Sequence, residues 1–327
     1  MGQVQRRRLL LGAVVLITTP LASRAQLSAK TYRIGVLAPS SSPSAAPLYE
    51  ELRLGLRELG YVEGKNIAIE YRYAEGRFER FPELAASLVS MNVDVIVAVS
   101  TDAVVAAQRA TTTIPIVMPI SIYPVELGII KSLGRPGGNV TGLTADDFAA
   151  KRLELLKQAA PRITRVVFLR NPAFRSSDIV LKECETTAAR MGLDFQTAAV
   201  YSPEDLDGAM HGLGKRRATG LYLIEDPLTY QNRAKIAELA IKQRLPSISR
   251  FQESAEDGVL MSYGNNIGAA FRSVATYIDK ILKGTKPADL PVQQATTLEL
   301  VINLKTAKAL GLTIPQSLLL RADRVVQ

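Results

Sequence analysis

The chain has 327 residues, 47% hydrophobic and 22% charged, with 40 Lys and Arg against 31 Asp and Glu, a formal charge of +9. These are the proportions of an ordinary globular protein, long enough to split into two lobes. One cysteine and one histidine exclude an internal disulfide and a multi-histidine zinc site. No nucleophile motif surrounds His211, and Cys184 sits in a helical pattern, so no catalytic or metal residue is expected.

The first residues, "MGQVQRRRLLLGAVVLITTPLASRAQ", place three arginines before an apolar run at 9–17. Ser23, Arg24 and Ala25 have the small-x-small form of a signal-peptidase site. The run is too short to span a bilayer, which takes about 20 residues. Residues 1–25 therefore read as an export signal cleaved near Ala25, by the general or the twin-arginine route. No cysteine follows the run to carry a lipid, so the expected location is the periplasm. Basic residues elsewhere are spread among acids, as in "KRLELLK" (151–157), which speaks for solvated helix faces and against a nucleic-acid partner.

"YRIGVLA" (32–38) is an apolar run ended by "PSSSPS" and predicts a buried strand. Leu48, Leu52 and Leu56 then repeat at helical spacing, with Gly60 where a C-terminal cap belongs. "IAIEYRY" (67–73) alternates like a strand, "FPELAASLVSM" reads as a helix and "VDVIVAVS" (93–100) as a fully buried strand. "TDAVVAAQRAT" predicts a helix capped by Thr101, "IPIVMPI" (114–120) a strand, and "PVELGIIKSLG" a helix with proline in its first turn. Strand and helix alternate four times, the pattern of a parallel sheet covered by helices.

"SLGRPGGNVTGLT" (132–144) interrupts this rhythm. A phosphate-binding loop would need Gly-Lys-Ser/Thr opening a helix, or G-x-G-x-x-G straight after the first strand. Here Gly138 is followed by Asn139 and a β-favouring run. The stretch reads instead as a helix stop at Gly134, a turn at 135–138 and a crossover strand at 139–144. On this reading Gly142→Pro should impair closure of the lobes and weaken binding, and leave the fold largely intact. The alternation then restarts with helices at "DDFAAKRLELLKQAA", "SDIVLKECETTAARMG", "SPEDLDGAMHGL" and "YQNRAKIAELAIKQRLP", separated by the strands "RVVFLRNP", "LDFQTAAV" and "ATGLYLIEDP" and followed by the strand "GVLMSYG". A late amphipathic helix (267–284), a Pro-rich linker, the strand "TLELVINL" and a short helix capped by Asn303 close the chain.

"GYVEGKNIAIEYRYAEG", "TTTIPIVMPISIYPVELGIIKSLGRPGGNVTG", "LMSYG" and "ILKGTKPADLPVQQATTLELVINLKTAKALGLTIP" closely resemble the periplasmic ABC-transporter substrate-binding proteins that include tryptophan- and tyrosine-type binders. The resemblance covers nearly all of the chain beyond the signal. It implies the type I periplasmic-binding-protein fold: α/β, two doubly wound parallel-sheet lobes, three crossovers and a ligand cleft between them. Lobe one would comprise 30–143 plus 265–284, and lobe two 144–264 plus 285–327. Thr141 and Gly142 would belong to one hinge segment, Tyr263 and Gly264 to another.

In open α/β sheets, ligands sit outside the carboxyl ends of the strands. The polar loops at those ends supply Ser40, Ser41, Ser42, Ser100, Thr101, Ser121 and Tyr123 from the first lobe. The second supplies Asn171, Glu225, Asp226, Arg250 and Phe251. Hydroxyls and free N–H groups at helix starts suit a carboxylate, Glu225 or Asp226 suits an ammonium, and Tyr123 or Phe251 could cover an apolar body. Capping or turn formation explains the same serines, Asn171 and Asp226, and Arg250 could pair across the lobes without touching ligand. Where Tyr123 stands, many relatives carry an acid, so another acid would have to take an ammonium here.

The function this implies is capture of a small polar solute, without chemistry and without a cofactor, by a monomer that delivers it to an inner-membrane ABC permease driven by a cytoplasmic ATPase. A ligand-sensing subunit of a membrane receptor would use the same fold. A LacI-type regulator would need a helix-turn-helix of about 50–60 residues where the export signal lies. An exported α/β hydrolase would need a G-x-S-x-G or an acid/base pair, and neighbours such as Glu225 and Asp226 point to opposite faces of a strand.

Overall fold

The computed structural model describes residues 30–43, 45–145, 148–224 and 226–327. The export-signal reading falls on residues 1–25, which lie outside the described residues, as does Glu225. In chain order the strands are β1 (Tyr32–Ala38), β2 (Ile67–Tyr73), β3 (Val95–Ala98), β4 (Ile116–Ser121), β5 (Val140–Thr144), β6 (Arg165–Arg170) and β7 (Asp194–Ala199). They continue with β8 (Gly220–Leu223), β9 (Ser247–Ser249), β10 (Met261–Asn265), β11 (Gln293–Gln294), β12 (Leu298–Asn303) and β13 (Arg324–Val326).

The strands build two sheets. The first has the order β11-β5-β4-β3-β1-β2 and is parallel throughout. The second runs β13-β12-β10-β9-β8-β6-β7, with β10 and β12 antiparallel and the other pairs parallel. Continuous apolar runs make this possible, because a parallel sheet is covered on both faces: all four residues of β3 are buried. Each sheet is sandwiched by two apolar clusters, one built on Leu52, Val97 and Phe271 and one on Phe81, Ile96 and Val104 for the first lobe. Cys184, on the helix Ser177–Arg190, lies wholly within the second lobe's core. His211 is on an exposed face of the helix Asp205–Lys215.

Among the described residues the chain passes between the sheets three times: after β5, after β10 at residue 266 and after β11 at residues 295–297. On the second passage it returns to lobe one as two helices, Ile267–Ser273 and Ala275–Leu282, not the single helix the periodicity suggests. The first packs on the helix Ala46–Glu58 so closely that a Cβ on Gly55 would lie 2.3 Å from the Arg272 carbonyl oxygen.

Four further expectations need correction. The segment expected as a helix at "PVELGIIKSLG" forms turns: the Leu127 N–H donates to the Tyr123 carbonyl, but Gly128, at φ +69°, ends the coil after one turn. Ser100, not Thr101, caps the helix Thr101–Ala110, its Oγ accepting from the Ala103 N–H. Residues 285–294 were expected in lobe two. They run with lobe one, because β11 extends the first sheet beside β5 and the Thr141 hydroxyl donates to the Leu290 carbonyl at 2.7 Å.

The last correction concerns the expected outcome of Gly142→Pro. Thr141 and Gly142 lie in the β4–β5 ladder, and Tyr263 and Gly264 in the β10–β12 ladder. Gly142 has φ +127°, and a Cβ there would sit 2.2 Å from the Met118 carbonyl oxygen. Proline, which fixes φ near −65°, would therefore break the sheet itself, so Gly142→Pro cannot leave the fold intact.

Candidate functional site

In the first sheet β1 is flanked by β2 and β3, so chain order reverses between β1 and β3. The second sheet repeats this between β6 and β8. Such a switch point opens a crevice at the strands' carboxyl ends, because the following helices leave to opposite faces. The two crevices face each other across one cavity with about 710 Å³ of empty space, its mouth included. Pro39 and Ser40 follow β1, and Val99, Ser100 and Thr101 follow β3. Phe174 follows β6, and Asp226 and Pro227 follow β8. Ser121 at the end of β4, and Arg250 and Phe251 after β9, complete the strand-end contribution.

The walls are largely apolar and aromatic. Tyr49, on the helix Ala46–Glu58, packs at ring distances of 5.7 Å from Tyr71 and 5.9 Å from Tyr73. Its hydroxyl donates to the Ser40 carbonyl at 2.6 Å. Burial pushes the ionisation of this phenol well above its usual range, so it stays a neutral donor. From the second lobe, Tyr230 and Phe251 meet edge to face at 5.3 Å. Both join the apolar cluster of the first lobe. Rings from both lobes thus enclose this space.

Polar groups are few and segregated. On the first-lobe side Ser40, Ser100, Thr101 and Ser121 line the cavity, Ser100 and Thr101 at the head of the helix Thr101–Ala110 and Thr101 Oγ1 3.3 Å from Ser121 Oγ. Ser100 adopts φ +143°, a conformation that costs about 1–3 kcal/mol for a residue with a side chain. That strain turns the chain from β3 directly into the helix at the cavity wall. The first N–H groups of a helix have no intrahelical acceptor, and they carry the positive end of its dipole.

On the second-lobe side Asp226 is buried and caps the helix Pro227–Gln231, Oδ1 accepting from Leu228 N–H (2.6 Å) and Thr229 N–H (3.0 Å). Arg250 is buried, lies over the Phe251 ring at 5.3 Å, and crosses Gly264 so closely that a Cβ there would meet the Arg250 Cγ at 2.8 Å.

Seven of the residues singled out from sequence therefore line one cavity: Ser40, Ser100, Thr101, Ser121, Asp226, Arg250 and Phe251. Four others do not line it. Ser41 donates its hydroxyl to Glu75 at 2.6 Å, the Ser42 N–H donates to Ser40 Oγ at 2.9 Å, and Asn171 accepts from the Ala173 N–H in a local turn. Tyr123 reaches into the second lobe instead, its hydroxyl donating to Glu183 at 3.1 Å. Sequence reasoning missed Tyr49, Tyr230 and Gln231. Their signal was an aromatic or amide one turn into the helix after a strand-end loop.

The family model for ABC transporter substrate binding proteins matches residues 33–326. The chain belongs to this family. Proteins of the ABC substrate-binding family bind a ligand without transforming it, and the family implies a small-molecule ligand and a permease partner. This ABC substrate-binding protein is 28% identical over 286 residues to a tyrosine-binding protein of Clostridioides difficile, covering 87% of this chain and 82% of that one. A domain from Streptococcus pneumonia in complex with L-Trp superposes with a TM-score of 0.84 at 28% identity, covering 91% of this chain and 100% of the other. The ligand-free, open structure of a substrate binding protein from Clostridium difficile gives 0.65 at 25% identity, over 91% and 99%. The substrate-binding protein described here thus resembles the L-Trp complex more than the open form, in keeping with the ring contacts between its lobes.

Proposed function

We propose that this chain is the exported, solute-capturing component of an ABC uptake system, and that its ligand is a small amino-acid-like solute with an aromatic or bulky apolar body. The observation that carries the reading is the cavity itself: rings of Tyr49, Phe174, Tyr230 and Phe251 around a space whose polar groups sit at one helix start and at Asp226 and Arg250. A carboxylate fits the hydroxyls and N–H groups at the head of the helix Thr101–Ala110, and an ammonium fits Asp226. The relatives that bind tyrosine or hold L-Trp support the aromatic body. Only the closed form offers both halves of this site, so ligand favours closure, and the closed form is what a permease would recognise.

The chain contains no tryptophan. Indole emission in a mixture with L-tryptophan therefore reports the ligand alone. Protein unfolded, freed of co-purified solute and refolded should shift and enhance that emission saturably, and calorimetry should rank L-tryptophan, L-tyrosine and L-phenylalanine above small or charged amino acids. Absence of binding to any of these and to simple aromatic carboxylates would refute the proposal. Amino-terminal sequencing of protein recovered from the periplasm should begin at residue 26.

A further inference from the structure

The cavity's wall continues, on both sides, into a pair of opposite charges. Thr101 and Phe174 line the cavity. The next residue of each, Asp102 in the first lobe and Arg175 in the second, meet across the cleft, with Arg175 Nε donating to Asp102 Oδ1 at 2.9 Å. The Phe174 ring lies 6.3 Å from that of Phe78 in the first lobe, so an apolar contact and an ion pair close the same edge. The Asp102 side chain is 12% exposed and that of Arg175 43%. Burial pushes the Asp102 carboxyl above its usual range and Arg175 pulls it back.

Asp102 stands in the first turn of the helix Thr101–Ala110. A carboxylate is welcome there in isolation. The same helix start is where the ligand's carboxylate is placed, and two negative charges so close repel each other. The first lobe alone cannot remove that conflict. The second lobe can, because closure brings a guanidinium onto Asp102.

We infer that the Asp102–Arg175 pair is a latch across the mouth of the cleft, in which Arg175 is a positioning residue that neutralises Asp102 on closure and so makes the helix start receptive to an anionic ligand group. The coupling to ligand rests on the proposed carboxylate site; the latch itself rests on the contact between lobes. Because its members sit on different lobes, the pair acts on the closed form alone and slows release. An exposed ion pair is worth little, but one partner here is largely desolvated, which sets the expected effect at about threefold to tenfold in the closed-to-open ratio.

The test uses the mature chain and the variants Arg175→Ala, Asp102→Asn, their combination, and Tyr123→Phe as a control for another contact between the lobes. Stopped-flow release of L-tryptophan and small-angle X-ray scattering of the ligand-free protein are both read. Arg175→Ala should release L-tryptophan about threefold to tenfold faster and shift the scattering toward a larger radius of gyration. Asp102→Asn should do less, since it removes the repulsion together with the latch, and the double variant should match Asp102→Asn. Release rates and scattering of Arg175→Ala equal to wild type would overturn the inference. Should wild-type protein fail to bind L-tryptophan, the proposed ligand class falls, and unchanged scattering in Arg175→Ala alone then overturns the latch.

Discussion

Three glycines of the stretch 132–144 meet very different surroundings, and alanine at each should rank accordingly. At Gly142 a Cβ would lie 2.2 Å from the Met118 carbonyl oxygen and 2.7 Å from its nitrogen, with φ at +127°. Both contacts are backbone of the neighbouring strand β4, which cannot swing aside without opening the ladder. The φ value alone costs about 1–3 kcal/mol for a residue with a side chain, and displacement of β4 adds to it, so Gly142→Ala should destabilise by about 3 kcal/mol or more. At Gly137 the φ is +78° and the nearest atom is Lys131 Cδ at 2.8 Å, the middle of a flexible side chain. There the cost should be about 1 kcal/mol, mostly backbone. At Gly138 an added Cβ would meet nothing within 4 Å among the described residues beyond its chain neighbours, and the backbone is ordinary, so alanine should be neutral. Thermal unfolding of residues 26–327 reads the series. With about 2–4 °C per kcal/mol for a chain of this size, Gly142→Ala should lose roughly 6–12 °C, Gly137→Ala a few degrees and Gly138→Ala almost nothing. Equal melting temperatures for Gly142→Ala and Gly138→Ala would show that β5 does not lie against Met118 as described.

Burial holds Tyr61 and Tyr71 near pKa 12 and pushes Tyr49 higher, against about 10 when unfolded. The folded chain therefore keeps protons that the unfolded chain loses: the stability from these hydroxyls is complete below pH 10 and is lost as pH rises through about 12. Tyrosinate absorbance, free of any tryptophan background, should rise for these residues together with unfolding and not before it. Thr101→Val or Ser121→Ala should weaken amino-acid binding by roughly tenfold, the worth of one hydrogen bond to a charged group, with circular dichroism unchanged; unaltered affinity in both would move the carboxylate elsewhere. Tyr230→Ala should cost more affinity for L-tryptophan than for L-valine, since it removes a ring from the wall, and calorimetry on the two ligands checks the difference. Arg152→Ala should destabilise the second lobe by about 2–3 kcal/mol, as it leaves the buried Tyr222 hydroxyl (2.8 Å) and Tyr263 carbonyl (3.3 Å) without the arginine donor; urea denaturation measures it.

The alternation of apolar runs and helical spacings was enough to place most strands, because buried parallel strands and amphipathic helices each impose a period on the sequence. Where the reading failed, the cause was local. "PVELGIIKSLG" has helical spacing, yet Gly128 takes a left-handed conformation and stops the coil. Ser100 and Thr101 are equally good caps by type, and only the strained turn out of β3 made Ser100 the one used. Ser40, Ser100, Thr101 and Ser121, singled out by strand-end position, line the cavity, but Ser41, Ser42 and Asn171 share the same chemistry and are spent on turns and on Glu75. The aromatic wall was hardest to see: a tyrosine such as Tyr49 at helical spacing looks like any core residue until the opposing lobe is in place.

By itself the sequence determined the two-lobed α/β architecture and the set of loops at which a ligand could sit. Both follow from patterns along the chain, and the lengthy family blocks agree with them. The tertiary structure alone decided which of those loops share one cavity, that Tyr230 and Phe251 close it from the second lobe, and that residues 285–294 belong to the first. It also paired Asp102 with Arg175, 73 positions apart in the chain. These are contacts between segments distant in sequence, fixed by how two sheets and three crossings pack, and no local periodicity encodes them.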